Sequence, residues 1–364
     1  MDLNQKLQEV CKLFRIYDEY VGYETIQMGN VNHTYKVNFI LADGNPKSFL
    51  VQNVNTYAFR TPIQLMENID KVTEHIRGKK PGQTALHFHH TADRKTYVID
   101  GENFWRMTNY IRSTTYNTLQ DPEILRNAGM AFGEFQTQLA DFDITQLYET
   151  IPNFHNTRKR YEKLLDSVAE DKAGRAASVR EEIDFLLSVQ DKACTLTDLN
   201  QAGKLPLRVT HNDTKINNVL FDNETNQALV VIDLDTVMPG LMGHDFGDAI
   251  RFAANFVEED CPQCEKAGVN LDVFRAFAEG FLSQTAKTMT ETEVQTLALS
   301  CFVLTAELAT RFLADYLDGD LYFKTAYPEH NLVRARCQIA LAKDMLEKMD
   351  EMEKIVLDCV KNAQ

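Results

Sequence analysis

His211, Asp213, Lys215 and Asn218 share one short polar loop, residues 211–218, and Asp233 follows just beyond the next turn. These residue types at this spacing suit the transfer of a phosphoryl group. Asp213 can act as base or orienting carboxylate beside an acceptor hydroxyl, and Lys215 can neutralise charge on the group in flight. Asn218 and Asp233 carry oxygens of the kind that hold magnesium against a triphosphate. His211 reads as a brace for the loop through hydrogen bonds.

The elements that must position these side chains are legible on either side. An apolar strand ends at Thr210, and two short strands follow the loop, joined by a turn at Asn223, Glu224, Thr225 and Asn226. The second of them closes with Ile232-Asp233-Leu234-Asp235. His-x-Asp followed five residues later by Asn, with a metal-binding Asp on the next hairpin, is the catalytic-loop arrangement of kinases. Asp235 is open to two readings, a second metal ligand or a polar strand end. Asp245-Phe246-Gly247 spells the protein-kinase metal motif, but it follows a Pro239-Gly240 turn and opens a helix. Asp233 is therefore read as the metal residue, and Asp245 as a brace beneath the catalytic loop.

Toward the N-terminus the pattern predicts a helix over 2–20 and strands over 23–28 and 34–41. The turn between the strands, Met28 to Thr34, sits where a kinase covers the nucleotide phosphates, which makes Gly29 and Asn32 candidate nucleotide contacts. In the third strand, 48–54, Gln52 occupies the place of the phosphate-pairing lysine and brings no charge. Nucleotide affinity must then lean on magnesium and backbone groups. A helix opens at Thr61-Pro62, with Ile63, Met66, Ile69, Val72 and Ile76 as its stripe. Its Glu67 or Glu74 can face the third strand with no ion pair to make. The strand 102–108 runs into Asn109-Tyr110-Ile111-Arg112, the expected hinge and adenine contact through Asn109 and Ile111. His87-Phe88-His89-His90 reads as a solvated strand, and Trp105 as core.

From 113 onward the pattern is helical. A helix starts at Asp121-Pro122, and others are predicted over 157–170, 178–192, 244–256, 271–286, 291–317 and 330–361, with Thr290 and Glu293 as a capping box. The expected fold is α+β and two-lobed, protein-kinase-like: a small β-rich nucleotide lobe, 1–108, and a larger helical catalytic and substrate lobe, 109–364. The net charge of −15 argues against nucleic acid or an anionic membrane as partner. An acidic surface suits a polycationic substrate, and it equally suits solubility. The opening residues read as an amphipathic helix, not a signal peptide. The apolar run Leu297 to Leu313 contains Glu307 and Arg311, which marks a buried helix. Seven scattered cysteines fit a reducing, cytoplasmic setting, and Cys261-Pro-Gln-Cys264 lacks the second pair a zinc site needs.

With these residues in view the chain resembles the aminoglycoside phosphotransferase/choline kinase superfamily, and within it the N-acetylhexosamine 1-kinases. The stretches that carry the likeness include Ala131 to Gln136, Pro206 to Asn218, Val231 to Gly240, Asp245 to Phe252, Arg311 to Asp320 and Tyr327 to Arg334. The resemblance implies an aminoglycoside phosphotransferase-like fold. It also implies ATP- and Mg2+-dependent phosphorylation of the anomeric hydroxyl of N-acetylglucosamine or N-acetylgalactosamine. By position it makes Asp213 the base and Asn218 and Asp233 the metal ligands. Arg311, Tyr322 and Phe252 fall on the sugar side of the pocket, and Asn30 stands where relatives can carry a His near the substrate. Gln also stands at the third-strand position in that family. An aminoglycoside or choline kinase would share the catalytic residues, and a pseudokinase acting as a binding module is the third reading.

Overall fold

Alternating strands and one amphipathic helix build the first third of the chain, and the sheet exists because both of its faces find apolar partners. The structure, a computed structural model, describes residues 2–26, 31–79, 84–117 and 121–363. Helix α1 (Leu3–Leu13) precedes β1 (Glu19–Ile26), β2 (His33–Ile40) and β3 (Pro46–Asn53); α2 (Pro62–Lys79) is followed by β4 (Val98–Asp100) and β5 (Asn103–Asn109). The five strands form an antiparallel sheet in the order β1-β2-β3-β5-β4. Residues of one parity, Phe49, Val51, Trp105 and Met107, pack under α1 with Leu7, Val10, Cys11 and Phe14. The opposite face looks toward α2 and the rest of the chain.

The larger part begins with α3 (Pro122–Gln138), α4 (Thr157–Glu170), α5 (Arg180–Ser188), α6 (Gln190–Ala193) and α7 (Thr195–Gln201). The segment 208–240 then supplies β6 (Arg208–Thr210), β7 (Val219–Phe221), β8 (Ala228–Val231) and β9 (Met238–Gly240). β7 pairs with β8 as the predicted hairpin, and β6 pairs with β9. Helices α8 (Met242–Ala253), α9 (Leu271–Thr285), α10 (Glu291–Asp318), α11 (His330–Glu347) and α12 (Met349–Ala363) complete the fold. A five-stranded N-terminal sheet and a larger helical C-terminal part make this the mixed α+β, kinase-like architecture expected.

Several boundaries differ from the sequence reading. The first helix stops at Leu13 because Arg15 adopts a left-handed φ of 68°, and the strand that follows starts at Glu19. Leu7, Val10 and Cys11 form its buried stripe. The helix read over 330–361 is two, parted at Lys348, whose ammonium reaches the Val269 carbonyl and the Asp344 carboxylate. The 178–192 helix breaks into shorter pieces and is followed by α7. Helix α10 is long and apolar enough to cross a membrane, but 83% of its apolar window is buried inside the protein.

Glycine sets how closely the helices approach. A Cβ at Gly280 of α9 would collide with the Arg126 carbonyl of α3, and one at Gly247 of α8 with the Ser300 carbonyl of α10. The glycine of Asp245-Phe246-Gly247 is thus explained by packing. In Gly280→Ala the overpacking, about 1–3 kcal/mol, outweighs the helix-propensity gain of about 1 kcal/mol. The variant is expected to melt a few degrees below wild type in a thermal unfolding scan, and an unchanged midpoint would contradict the close approach.

Candidate active site

The loop 211–218 leaves β6 with backbone N–H groups that no strand can satisfy, and α8 supplies their acceptors. Asp245, in the first turn of α8, accepts from His211 N at 3.0 Å and Asn212 N at 2.8 Å, and its carboxylate also receives Gln136 Nε2 of α3 at 2.5 Å. Burial pushes the Asp245 carboxyl up, against the opposing pull of His211 and these donors. The role read for Asp245, a brace under the loop, is what the geometry displays. One turn on, Asp248 accepts from Thr214 N at 3.0 Å and is paired with Arg251. Burial alone would raise Asp248; Arg251 and Lys215 outweigh it and hold the carboxyl low.

His211 is fully buried between Phe132 and Phe135. Its Nε2 donates to the Ile232 carbonyl at 2.8 Å, and Nδ1 accepts from Asp213 N at 3.2 Å. The imidazole therefore ties the loop to the end of the hairpin, as a brace. Asn212 takes a left-handed φ of 63°, a conformation Asn tolerates.

With its backbone fixed, the loop presents three functional side chains together. Half-buried Asp213 meets Lys215 Nζ at 2.9 Å. Asn218 Nδ2 donates to the Asp213 carbonyl at 2.8 Å and lies 3.3 Å from its carboxylate, which leaves the amide oxygen as the available ligand. Burial pulls the Lys215 ammonium down, but Asp213 and Asp248 outweigh it and keep it above its ordinary range. A lysine so held stays cationic at neutral pH.

Asp233 lies past the end of β8, in the left-handed region at φ 61°. The expectation that the strand itself delivers it is corrected: pairing stops at Val231, and the left-handed residue starts the short turn Leu234–Thr236. Its carboxyl is solvent-accessible, yet protein packs densely around it. That crowding, with Asp235 and Asp213 nearby, pushes it up to about 6. Among the described residues no three His, Cys, Asp or Glu side chains gather around a metal position. Asn218 and Asp233 nonetheless fit magnesium, which takes one or two protein oxygens and fills its shell with phosphate and water. The repulsion from Asp235 and Asp213 that adds to the effect of burial is the kind a divalent cation relieves.

Asp235 is buried, and its carboxylate is claimed by neighbours. Arg106 of β5 approaches both its oxygens, and Asn32 Nδ2 donates to Oδ2 at 2.7 Å. Of the two readings of Asp235, this geometry favours a structural acceptor. Asn32 accepts in turn from Asn55 N at 2.9 Å. Gln52 donates to Thr34 Oγ1 at 3.1 Å and accepts from Arg106 Nε at 2.9 Å. Asn109 meets His89 at 3.0 Å, and the Ile111 carbonyl accepts from Ser113. Gly29 and Asn30 lie outside the described residues. On α2, Glu67 turns to Tyr148, and Glu74 to Arg77 and His87, so neither engages β3. The expected solvated strand at His87–His90 is one isolated bridge, Phe88 with Thr108, whose histidines bond Glu74, Asn109 and Asp70.

On α10 the Arg311 guanidinium lies among three rings, 5.7 Å from Phe154, 6.0 Å from Tyr322 and 5.4 Å from Phe323. Tyr322 is 72% exposed, and Phe252 of α8 is half-buried against the main core. One turn before Arg311, Glu307 accepts from Thr157 at 2.7 Å and meets His155 at 2.9 Å. Burial would raise Glu307, but His155 and Thr157 bring it down to about 2. Neighbouring Arg160 donates to the Phe154 carbonyl while its buried Nε has no partner among the described residues.

Sequence reasoning missed Gln136, Asp248 and Arg106 as parts of the site. Arg106 left a signal, a charge in the middle of Phe104-Trp105-Arg106-Met107, because a charge inside a buried strand must have a partner.

This fold and site define a phosphotransferase. The profile of the phosphotransferase enzyme family (APH) matches residues 26–277, and the chain belongs to that family. Among solved structures it is similar to an amicoumacin kinase in complex with AMP-PNP, Ca2+ and Ami, at 12% identity and a TM-score of 0.60 over 93% of each chain. It is similar to a microcompartment-associated aminopropanol kinase at 15% identity and 0.60, over 96% of this chain and 98% of that one. The choline kinase of Cryptosporidium parvum Iowa II aligns at 13% identity and 0.51, over 93% and 92%. At these identities the likeness is one of fold.

The raised Asp233 carboxyl has a consequence for stability. From an ordinary 3.8 to about 6, the folded state holds a proton that the unfolded state has lost. Stability therefore falls as pH rises through that window and stays lower above it. In metal-free buffer at pH 7.5, Asp233→Asn is expected to melt about 1–3 °C above wild type. The gap should close as the pH falls toward 4. A gap that is the same at every pH would contradict this account.

Proposed function

We propose that the chain is a sugar 1-kinase, transferring the γ-phosphoryl group of ATP to the anomeric hydroxyl of an N-acetylhexosamine, N-acetylglucosamine or N-acetylgalactosamine. The observation that carries the kinase reading is the set Asp213, Lys215, Asn218 and Asp233, converging on one hairpin whose backbone is clamped by Asp245 and Asp248. Asp213 orients the sugar hydroxyl and takes its proton as the oxygen bonds to the γ-phosphorus. The bond from that phosphorus to the bridging oxygen breaks, and ADP leaves. Lys215 faces the charge spread over the transferring oxygens. Asn218 and Asp233 would hold Mg2+, which supplies charge neutralisation across the β- and γ-phosphates. The AMP-PNP and Ca2+ bound by the amicoumacin kinase support a nucleotide and a divalent cation here. In this reading Asn32 and Gln52, on a lobe spanning 1–108, border the nucleotide together with Asn109 and Ile111 of the hinge that follows it. Phe252, Arg311 and Tyr322 border the sugar on a lobe spanning 109–364. A cytoplasmic setting is part of the proposal, in keeping with seven free cysteines.

The sugar assignment rests on the resemblance to N-acetylhexosamine 1-kinases, and one feature of the acceptor side supports it over choline or an aminoglycoside. A cationic acceptor calls for an empty aromatic cage or a cluster of carboxylates. Here Phe154, Tyr322 and Phe323 surround the protein's own Arg311, with Arg160 close by. Two guanidinium groups repel a cation and donate to the oxygens of a neutral sugar. The intact base and metal donors count against a pseudokinase.

Asp213→Asn is expected to lower kcat at least about 100-fold while ATP still binds. A variant that keeps most of its turnover would remove Asp213 from the role of base. Arg311→Ala should raise the KM of the sugar about tenfold, the size of one lost charged hydrogen bond, and leave that of ATP unchanged. An unchanged sugar KM would take Arg311 out of the acceptor site.

A further inference from the structure

The nucleotide site of a kinase needs a fixed positive charge on the sheet facing the phosphates, and Gln52 of β3 has none. We infer that Arg106, on the neighbouring strand β5, is the positioning residue that supplies this charge, held in place by Gln52 and Asp235. The inference rests on the reading of the site as an ATP site and adds a residue to it.

Four observations carry it. Gln52 and Arg106 are direct register partners in the β3–β5 ladder, so their side chains leave the same face of the sheet. That face is opposite the one covered by α1, where Val51 and Met107 point, and it looks toward the catalytic hairpin. Gln52 Oε1 receives Arg106 Nε at 2.9 Å, so the neutral residue in the lysine's place orients its neighbour's guanidinium.

The third observation is the pairing with Asp235. The guanidinium forks onto both Asp235 oxygens, two residues from the candidate metal ligand Asp233. The charge is thus delivered beside the place where metal and phosphates would meet. Arg106 is only 2% exposed, with its ends over the Phe88 ring and against Met66 of α2. A charge so deeply placed is screened little by solvent.

The fourth is the link to the phosphate-covering turn. Asn32 shares the Asp235 carboxylate with Arg106, so one acceptor joins the β1–β2 connection, β5 and the catalytic hairpin. Protein kinases join the third strand to the helix after it by a Lys–Glu pair. In this chain the corresponding glutamates of α2 are engaged elsewhere, and the ion pair runs from β5 to the hairpin. The arginine fork suits this place, because it can bond a neutral amide and a carboxylate at once and keep its charge.

The test reads Mg-ATP affinity by titration calorimetry with no acceptor present, so a wrong sugar assignment leaves it intact. Binding by wild type checks the nucleotide reading, and only the ratio of variant to wild type tests Arg106. Arg106→Gln, shown folded by circular dichroism, is expected to bind Mg-ATP at least about tenfold more weakly. The double variant Gln52→Lys/Arg106→Gln returns a charge to β3 and should recover most of that loss. A merely structural ion pair would not be rescued in this way. If Arg106→Gln does not fold, Asp235→Asn replaces it: the arginine keeps its charge and its Gln52 contact, and affinity should hold or rise. Unchanged binding in folded Arg106→Gln, no recovery in the double variant, or weaker binding in Asp235→Asn would each overturn the inference.

Discussion

The loop 211–218 depends on one buried carboxylate. Asp245 is 1% exposed, and an ionised carboxylate there is tolerable only because two backbone N–H groups and one amide converge on it. Hydrogen bonds to a charged group contribute about 1.5–3 kcal/mol each. The same bonds dictate the path of residues 211 and 212, including the left-handed turn at Asn212. Everything the loop presents, Asp213, Lys215 and Asn218, inherits its position from that path. Helix α8 is in turn held against α10 at Gly247, so the support runs from the main core to the reacting groups.

A second constraint crosses between the sheet and the catalytic hairpin. Asp233 and Asp235 put two carboxylates on one short turn, and their repulsion is compensated unevenly. Asp235 is paired with Arg106 and Asn32, while Asp233 has no cationic partner of its own among the described residues and its carboxyl is pushed upward. This asymmetry separates a residue that binds structure together from the proposed metal ligand. A site built this way sacrifices some stability for function, as polar active sites commonly do.

Much of this was legible because the residues concerned are constrained locally. The hairpin after Thr210, the capping box at Thr290 and the start of α3 at Asp121-Pro122 follow from patterns within a few residues, and all three are present. The bracing role of Asp245 followed from its place after a Pro-Gly turn at the start of a helix. What the sequence hid depends on partners far along the chain. Arg106 and Asp235 are separated by 129 positions, and Gln136 meets Asp245 across 109. No local pattern specifies such a pair. The end of α1 and the parting of α11 from α12 turn on single residues, Arg15 and Lys348, that interrupt otherwise helical stretches. Register gives the middle case: once β3 and β5 pair, the proximity of Gln52 and Arg106 follows at once.

The proposed reaction transfers phosphate at this clamped hairpin to the anomeric oxygen of an acetylated hexosamine. Phosphorus NMR of the product formed from Mg-ATP with N-acetylgalactosamine or N-acetylglucosamine tests it directly. The account predicts a phosphate resonance coupled to the anomeric proton, with ADP released in equal amount. A phosphate on any other hydroxyl, or product formed only from choline or kanamycin, would contradict it.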